Sequence, residues 1–198
     1  MLTKAERTKQ LIIEKAAPLF NKKGYAGTSM HDIMELTGLA KGGIYCNFDS
    51  KDDIAAQVFD YAYHKVVSEI RARVKPVESA AGKFNALLDF YRDYTIHPPV
   101  EGGCILMNTA IESDDTHPRL REKAQQALAD QLFSLHRMIE RGVARGEFGE
   151  TLDIRREAEV FYAQVEGGIM MSKLTGNPEI LHRVLDQLQE HIQTNWIK

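Results

Sequence analysis

The chain has 198 residues, 43% apolar and 27% charged, with a net charge of −3 and two cysteines. Such a length can bury a sizeable core in one domain or two small ones, and the composition is that of a soluble globular protein. The longest apolar run is four residues, too short to span a membrane, and the start Met1-Leu2-Thr3-Lys4 lacks the apolar stretch of a secretory leader. Cys46 and Cys104 make no disulfide framework, so a reducing cytoplasm is expected, with no membrane partner.

The charge is unevenly divided. Residues 1–51 hold eight Lys or Arg against five Asp or Glu, a net +3, while the remainder holds 17 against 23, a net −6. Basic charge gathered in one short segment suits binding to phosphate, and the acidic remainder repels a polyanion.

Ile12, Ala16, Leu19 and Phe20 keep helical spacing across Pro18, whose missing N–H predicts a kink, so one bent first helix is expected. Thr28 or Ser29 can cap a second helix with its hydroxyl, and Met30, Ile33 and Leu36 are expected to face inward from it. Thr37-Gly38-Leu39 ends that helix, because Gly38 can take φ > 0. A short helix over residues 40–48 follows. Leu39 and Ile44 would anchor it, and Ala40, Lys41, Gly42, Gly43, Tyr45, Cys46 and Asn47 would point outward. Two helices about a short glycine turn form a helix-turn-helix, the second helix placed for a major groove. Lys41 and Lys51 can neutralise phosphates, and Tyr45 has a ring to pack and a hydroxyl to reach one.

Beyond Lys51 the chain reads as helices with short breaks. Asp49 or Ser50 would cap a helix running to about Val74, stopped by Pro76. Further helices are expected over 78–96, 104–112 and 118–146, the last with Leu128, Leu132, Leu135 and Ile139 along its inner stripe. One more covers 154–174, and a final one opens at Asn177-Pro178, with Asn as the N-cap. The expected fold is all-α: an N-terminal three-helix helix-turn-helix domain over 1–50, then a helical ligand-binding and dimerisation domain over 51–198.

Gly167 and Gly168 each cost about 1 kcal/mol relative to Ala inside a helix, which a close helix–helix approach can offset. With Val165, Ile169, Leu181, Val184, Leu185, Leu188 and Ile192 they suggest half of a four-helix dimer interface, the alternative being that these helices complete one chain's core. A symmetric pair would read a palindrome. The middle helices offer Tyr61, His64, Tyr91, Tyr94, Cys104, Met107, Asn108, Ile111, Phe133 and Met138. This mixture of apolar surface and few polar groups suits a pocket for a small-molecule effector, and equally an ordinary core. Cys104 follows two glycines at a helix start, where the dipole favours thiolate. It reads either as a reactive sensor or as a small buried residue.

Arg7, Ile12, Ala16, Leu19, Phe20, Gly24, Tyr25, Thr28, Asp32, Ile33, Gly38, Gly42, Tyr45, Phe48 and Lys51 stand in an order and spacing that resembles the N-terminal domain of TetR-family transcriptional regulators. The resemblance covers residues 7–54. It implies DNA-contacting positions at Thr28, Lys41, Gly42, Tyr45, Asn47 and Lys51; with Ser29 and Gly43 these form the candidate DNA-binding set. Asn47 stands where the family more often has histidine, and Cys46 at a variable position. The resemblance also favours a homodimer paired through its last two helices. The expected function is a repressor of a double-stranded palindromic operator, released by a small molecule. The Gly-Cys at 103–104 resembles a subgroup that senses electrophiles through such a cysteine, which gives a redox-sensing alternative.

An enzyme is the rival class. A di-iron bundle needs two Glu-x-x-His motifs and two further carboxylates, whereas only Glu179 with His182 fits. The seven histidines lack metal spacing, and no Walker, nucleophile-elbow or dinucleotide motif occurs. No catalytic residue, metal or cofactor is expected.

Overall fold

The computed structural model describes residues 3–113 and 115–198; Met1 and Leu2, read above as part of the N-terminal segment, lie outside them. Among the described residues the regular elements are helices: α1 Lys4–Gly27, α2 Met30–Thr37, α3 Lys41–Tyr45, α4 Lys51–Val74, α5 Ala80–Tyr94, α6 Ile105–Ser113, α7 Pro118–Ala144, α8 Ile154–Thr175 and α9 Glu179–His191. A π-helical turn, Ile192–Trp196, follows α9, and Phe148 and Ile197 form an isolated bridge. None of these helices is long and apolar enough to cross a membrane. The chain folds as two compact units, one of residues up to Val66 with Pro99–Ala127, the other of Val67–Pro98 with Leu128–Lys198.

In the first unit the helix starts are written in side chains. Thr3 and Glu6 form a capping box on α1, and Ser29 and Asp32 form one on α2. Ser50, the second of the two expected caps, takes the Asp53 N–H at 3.1 Å at the start of α4. Gly38 closes α2 at φ +73°. The core gathers Ile12, Ala16 and Phe20 from α1, Ile33 from α2, Ile44 from α3, Phe48, and Ile54, Val58 and Phe59 from α4.

Two details of the first unit differ from expectation. The non-helical residue inside α1 is Gly24 (φ +73°, ψ 177°), not Pro18. Proline's fixed φ is compatible with a helix, whereas a positive φ favours glycine. Leu36 is exposed, because the eight-residue α2 buries Ile33 and Thr37, a pair four apart that leaves Leu36 off the inner line.

In the second unit Phe84 of α5 packs against Phe148, Phe161 and Trp196, with ring centroids 6.2, 5.4 and 5.0 Å away. Trp196 Nε1 donates to Glu157 at 3.0 Å, and His191 Nε2 lies 2.9 Å from the same oxygen. The buried side of α7 carries Leu120, Ala124 and Ala127 within the first unit and Leu135 and Ile139 within the second. Leu128 is therefore one residue past that side and exposed, contrary to the expected stripe.

Gly142 in α7 has no room for a side chain: a Cβ would run into the Phe148 ring and lie 2.9 Å from Ala80 Cβ. Gly142→Ala gains about 1 kcal/mol of helix propensity, but overpacking a rigid ring contact costs about 1–3 kcal/mol. The expected result is a lower urea midpoint, followed by the fluorescence of the single Trp196. A midpoint at or above wild type would disprove the tight contact.

Candidate nucleic-acid interface

Helix α3 has five residues and buries one of them, Ile44. Phe48 is also buried and Leu39 is half-buried, so these three hold α3 to the unit. Lys41, Gly42, Gly43, Tyr45 and Cys46 are exposed, and Asn47 is half-buried with its amide donating to Gly43 O at 2.9 Å. Neither glycine is required by packing within the chain. A Cβ on Gly42 would meet nothing within 4 Å, and one on Gly43 only Leu39 Cβ at 3.9 Å. What the two glycines leave open is approach to bare backbone from outside.

The cations sit around this surface. Lys41 Nζ lies 5.8 Å from the centre of the Tyr45 ring and Lys9 Nζ 5.3 Å from that of Phe48. At the start of α4, Lys51 Nζ lies 4.1 Å over the Tyr25 ring. The Tyr25 hydroxyl donates to Asp52; burial first, and then this carboxylate, push the phenol up to about 12. Lys23 lies 2.7 Å from Asp32, and with the Ser29 contacts it holds that carboxyl well below the usual range.

Two members of the expected DNA-binding set are differently placed. Thr28 is fully buried, and its hydroxyl donates to Gly24 O at 2.7 Å. Its side chain is thus withdrawn from any phosphate, because the chain turning out of the Gly24 break folds it inward. Ser29 is exposed, but its hydroxyl is engaged with Asp32 in the α2 cap.

Residues 12–58 match the family model of bacterial regulatory proteins, tetR family, and residues 80–188 match the tetracyclin repressor-like C-terminal domain. The chain belongs to the TetR family. A TetR transcriptional regulator from Chloroflexus aurantiacus J-10-FL is 36% identical over 99% of both chains, with a TM-score of 0.95. One from Cytophaga hutchinsonii is 37% identical, covers 100% of this chain and 99% of that one, and has a TM-score of 0.92. The HTH-type transcriptional regulator TtgR of Pseudomonas putida is 26% identical over 165 residues, 82% of this chain and 79% of TtgR. TetR-family proteins are DNA-binding transcriptional regulators and not enzymes.

The candidate effector residues of this TetR-family chain divide between the two units. In the first, His64 and Ile111 point to solvent, Ile111 being 74% exposed, which removes both from an enclosed pocket. Tyr61 and Met107 are half-buried, and the Asn108 amide is taken by Asn21 and Gly102. Cys104 is buried, its Sγ accepting the Met107 N–H at 3.4 Å. In the second, Tyr91 and Tyr94 pack with Phe90 in the core, Met138 is half-buried, and Phe133 is 65% exposed beside an open groove.

The candidate dimer residues need a larger correction. Val165, Ile169, Leu181, Leu185, Leu188 and Ile192 are at most 2% exposed within the single chain, and Val184 is half-buried. Their stripe joins α8 to α9 of the same chain. Gly168 permits that approach, since a Cβ there would lie 2.8 Å from Leu181 Cδ1.

Sequence reasoning missed Glu112, whose carboxylate takes the backbone N–H groups of Tyr25 at 2.6 Å and Ala26 at 2.8 Å. The signal available was a glycine needing φ > 0 within a helix, with amides to be satisfied beside it.

Two outcomes are expected at this surface. Lys51→Ala and Tyr45→Phe should each weaken DNA binding about tenfold, and Lys51→Ala should reduce the slope of log affinity against log salt by about one per subunit, with sequence preference kept. An unaltered slope would remove Lys51 from phosphate contact. Bound DNA should also shield exposed Cys46 from a thiol reagent, while buried Cys104 reacts slowly with or without DNA. Unprotected Cys46 in the complex would mean that α3 faces away from the duplex.

Proposed function

We propose that this chain is a homodimeric repressor that reads a palindromic operator through α3 of each copy and is released by a small molecule. The observation that carries the reading is the outward surface of Lys41, Gly42, Gly43 and Tyr45 on a helix anchored by Ile44 and Phe48. One short helix reads few base pairs; two related by a two-fold axis read a palindrome and multiply the specificity. The net +3 of residues 1–51 favours phosphate there, and the acidic remainder disfavours DNA elsewhere.

With the former interface residues inside the subunit, the surface proposed for the second copy is the opposite side of α8. Val160, Gly167, Met171 and Leu174 recur at helical spacing there with Met170 beside them, and Leu174 is 81% exposed. Exposed apolar surface on this scale suits an interaction face. A Cβ on Gly167 meets nothing within 4 Å in the subunit, which leaves space for a partner helix.

Effector binding is supported by the end of α5. There Phe90, Tyr91 and Tyr94 cluster with centroids 5.1–5.9 Å apart, and Thr95 Oγ1 is buried without a hydrogen-bond partner. The effector would act by binding better to the arrangement that cannot dock, tilting α4 and altering the separation of the two α3 helices.

Selection of bound fragments from random DNA should return a two-fold symmetric sequence; an asymmetric or absent consensus would sink the reading. Met171→Glu combined with Leu174→Glu should yield folded monomers by sedimentation, with operator affinity reduced at least about a hundredfold by loss of the second half-site. A variant that stays dimeric would rule out this α8 face.

A further inference from the structure

The backbone break at Gly24 is gripped by a residue far along the chain. At φ +73° and ψ 177° the glycine turns the next amides out of helical register. The Glu112 carboxylate, on the last turn of α6, meets them with one oxygen each: Oε2 takes the Tyr25 N–H at 2.6 Å and Oε1 the Ala26 N–H at 2.8 Å. Charge-assisted bonds of this kind are stronger than neutral ones. The fit is reciprocal, since a Cβ on Gly24 would lie 2.6 Å from both carboxylate oxygens.

One turn earlier on α6, Asn108 Nδ2 reaches Asn21 O at 3.1 Å, Asn21 Oδ1 at 2.8 Å and Gly102 O at 2.9 Å. The buried Asn21 amide in turn donates to Glu101 O and Gly103 O, and Lys22 pairs with Glu101. Thus α6 and the segment before it are bolted to α1 along two turns.

The gripped residue, Tyr25, leads on to the DNA-facing side. Its ring packs 4.0 Å from His117 by centroids and carries Lys51 Nζ on it, and its hydroxyl donates to Asp52. Two residues past Ala26, the buried Thr28 and then the Ser29 cap launch α2.

We infer that Glu112 is a positioning residue for DNA binding: its grip on the Tyr25 and Ala26 amides sets Lys51 and the start of α2 in the arrangement that docks. This inference rests on the operator-binding reading above.

The test is a double-mutant cycle on the full chain, read in two ways. In the absence of DNA, Glu112→Ala should speed amide exchange at Tyr25, Ala26 and across α2–α3, and leave α8–α9 unchanged. With a duplex carrying the selected palindrome, the same variant should bind about tenfold more weakly by fluorescence anisotropy. Gly24→Ala should do likewise, and adding Glu112→Ala to it should change affinity by less than about twofold, because the carboxylate is already displaced. Fully additive losses, or wild-type affinity in Glu112→Ala, would overturn the inference. Should Gly24→Ala not fold, Glu112→Gln replaces it. Gln keeps an acceptor oxygen and should retain more affinity than Ala; a Gln variant no better than Ala overturns the role of these contacts. If wild-type protein binds no symmetric duplex, the operator reading itself fails. The exchange measurement still decides the grip: unchanged exchange at Tyr25 and Ala26 removes it.

Discussion

The passage from α1 into α2 depends on one backbone conformation, the positive φ of Gly24. A helix that stops following its own hydrogen-bond ladder leaves amides that need other acceptors. Here the acceptor is the carboxylate of Glu112, and the glycine supplies both the dihedral angle and the space that carboxylate occupies. The consequences run forward along the chain. Thr28 folds inward and seals the turn against Gly24 O, Ser29 is left at the surface to cap α2, and Gly38 then closes α2.

Helix α3 inherits its geometry from that sequence of turns. Five residues are far too few to be helical alone, since nucleation is unfavourable and propagation has no length over which to recover it. Its order comes from Ile44 and Phe48, both buried, and the half-buried Leu39. Because one anchor lies within α3 and the others flank it, the remaining residues of α3 are free of packing duties, and they are a lysine, two glycines and a tyrosine. A surface so composed offers a charge, a hydroxyl and bare backbone, which is what contact with phosphate and a groove floor uses.

Much of this was legible in the sequence because it is local. Ser29 with Asp32, Gly38 and Ser50 are signals carried within a few residues, and Ile44 alternating with small or polar neighbours fixes which side of α3 faces in. The failures have a common physical cause: a periodic stripe tells that a side is apolar, not what it touches. Leu36 and Leu128 sit one position from the true inner line, a difference that spacing alone does not resolve. His64 and Ile111 share helices with core residues yet face solvent. Glu112 lies 87 residues from the amide of Tyr25, so Gly24 can signal that amides need an acceptor but not which residue supplies it.

The two adjacent glycines of α8 show how far a stripe can be followed. Gly168 faces α9, where a side chain would strike Leu181, so its absence is explained inside the subunit. Gly167 is turned about 100° from it and a Cβ there would meet nothing within 4 Å, so the packing of one chain gives no reason for it. The same holds for Val160, Met171 and Leu174, which make a second apolar line on a helix whose first line is already buried. A helix apolar on two sides that covers only one leaves an outer line for which the packing of one chain gives no reason, and that line is the surface proposed above for a second copy. In that reading the heptad residues are the inner layer that holds α8 in position.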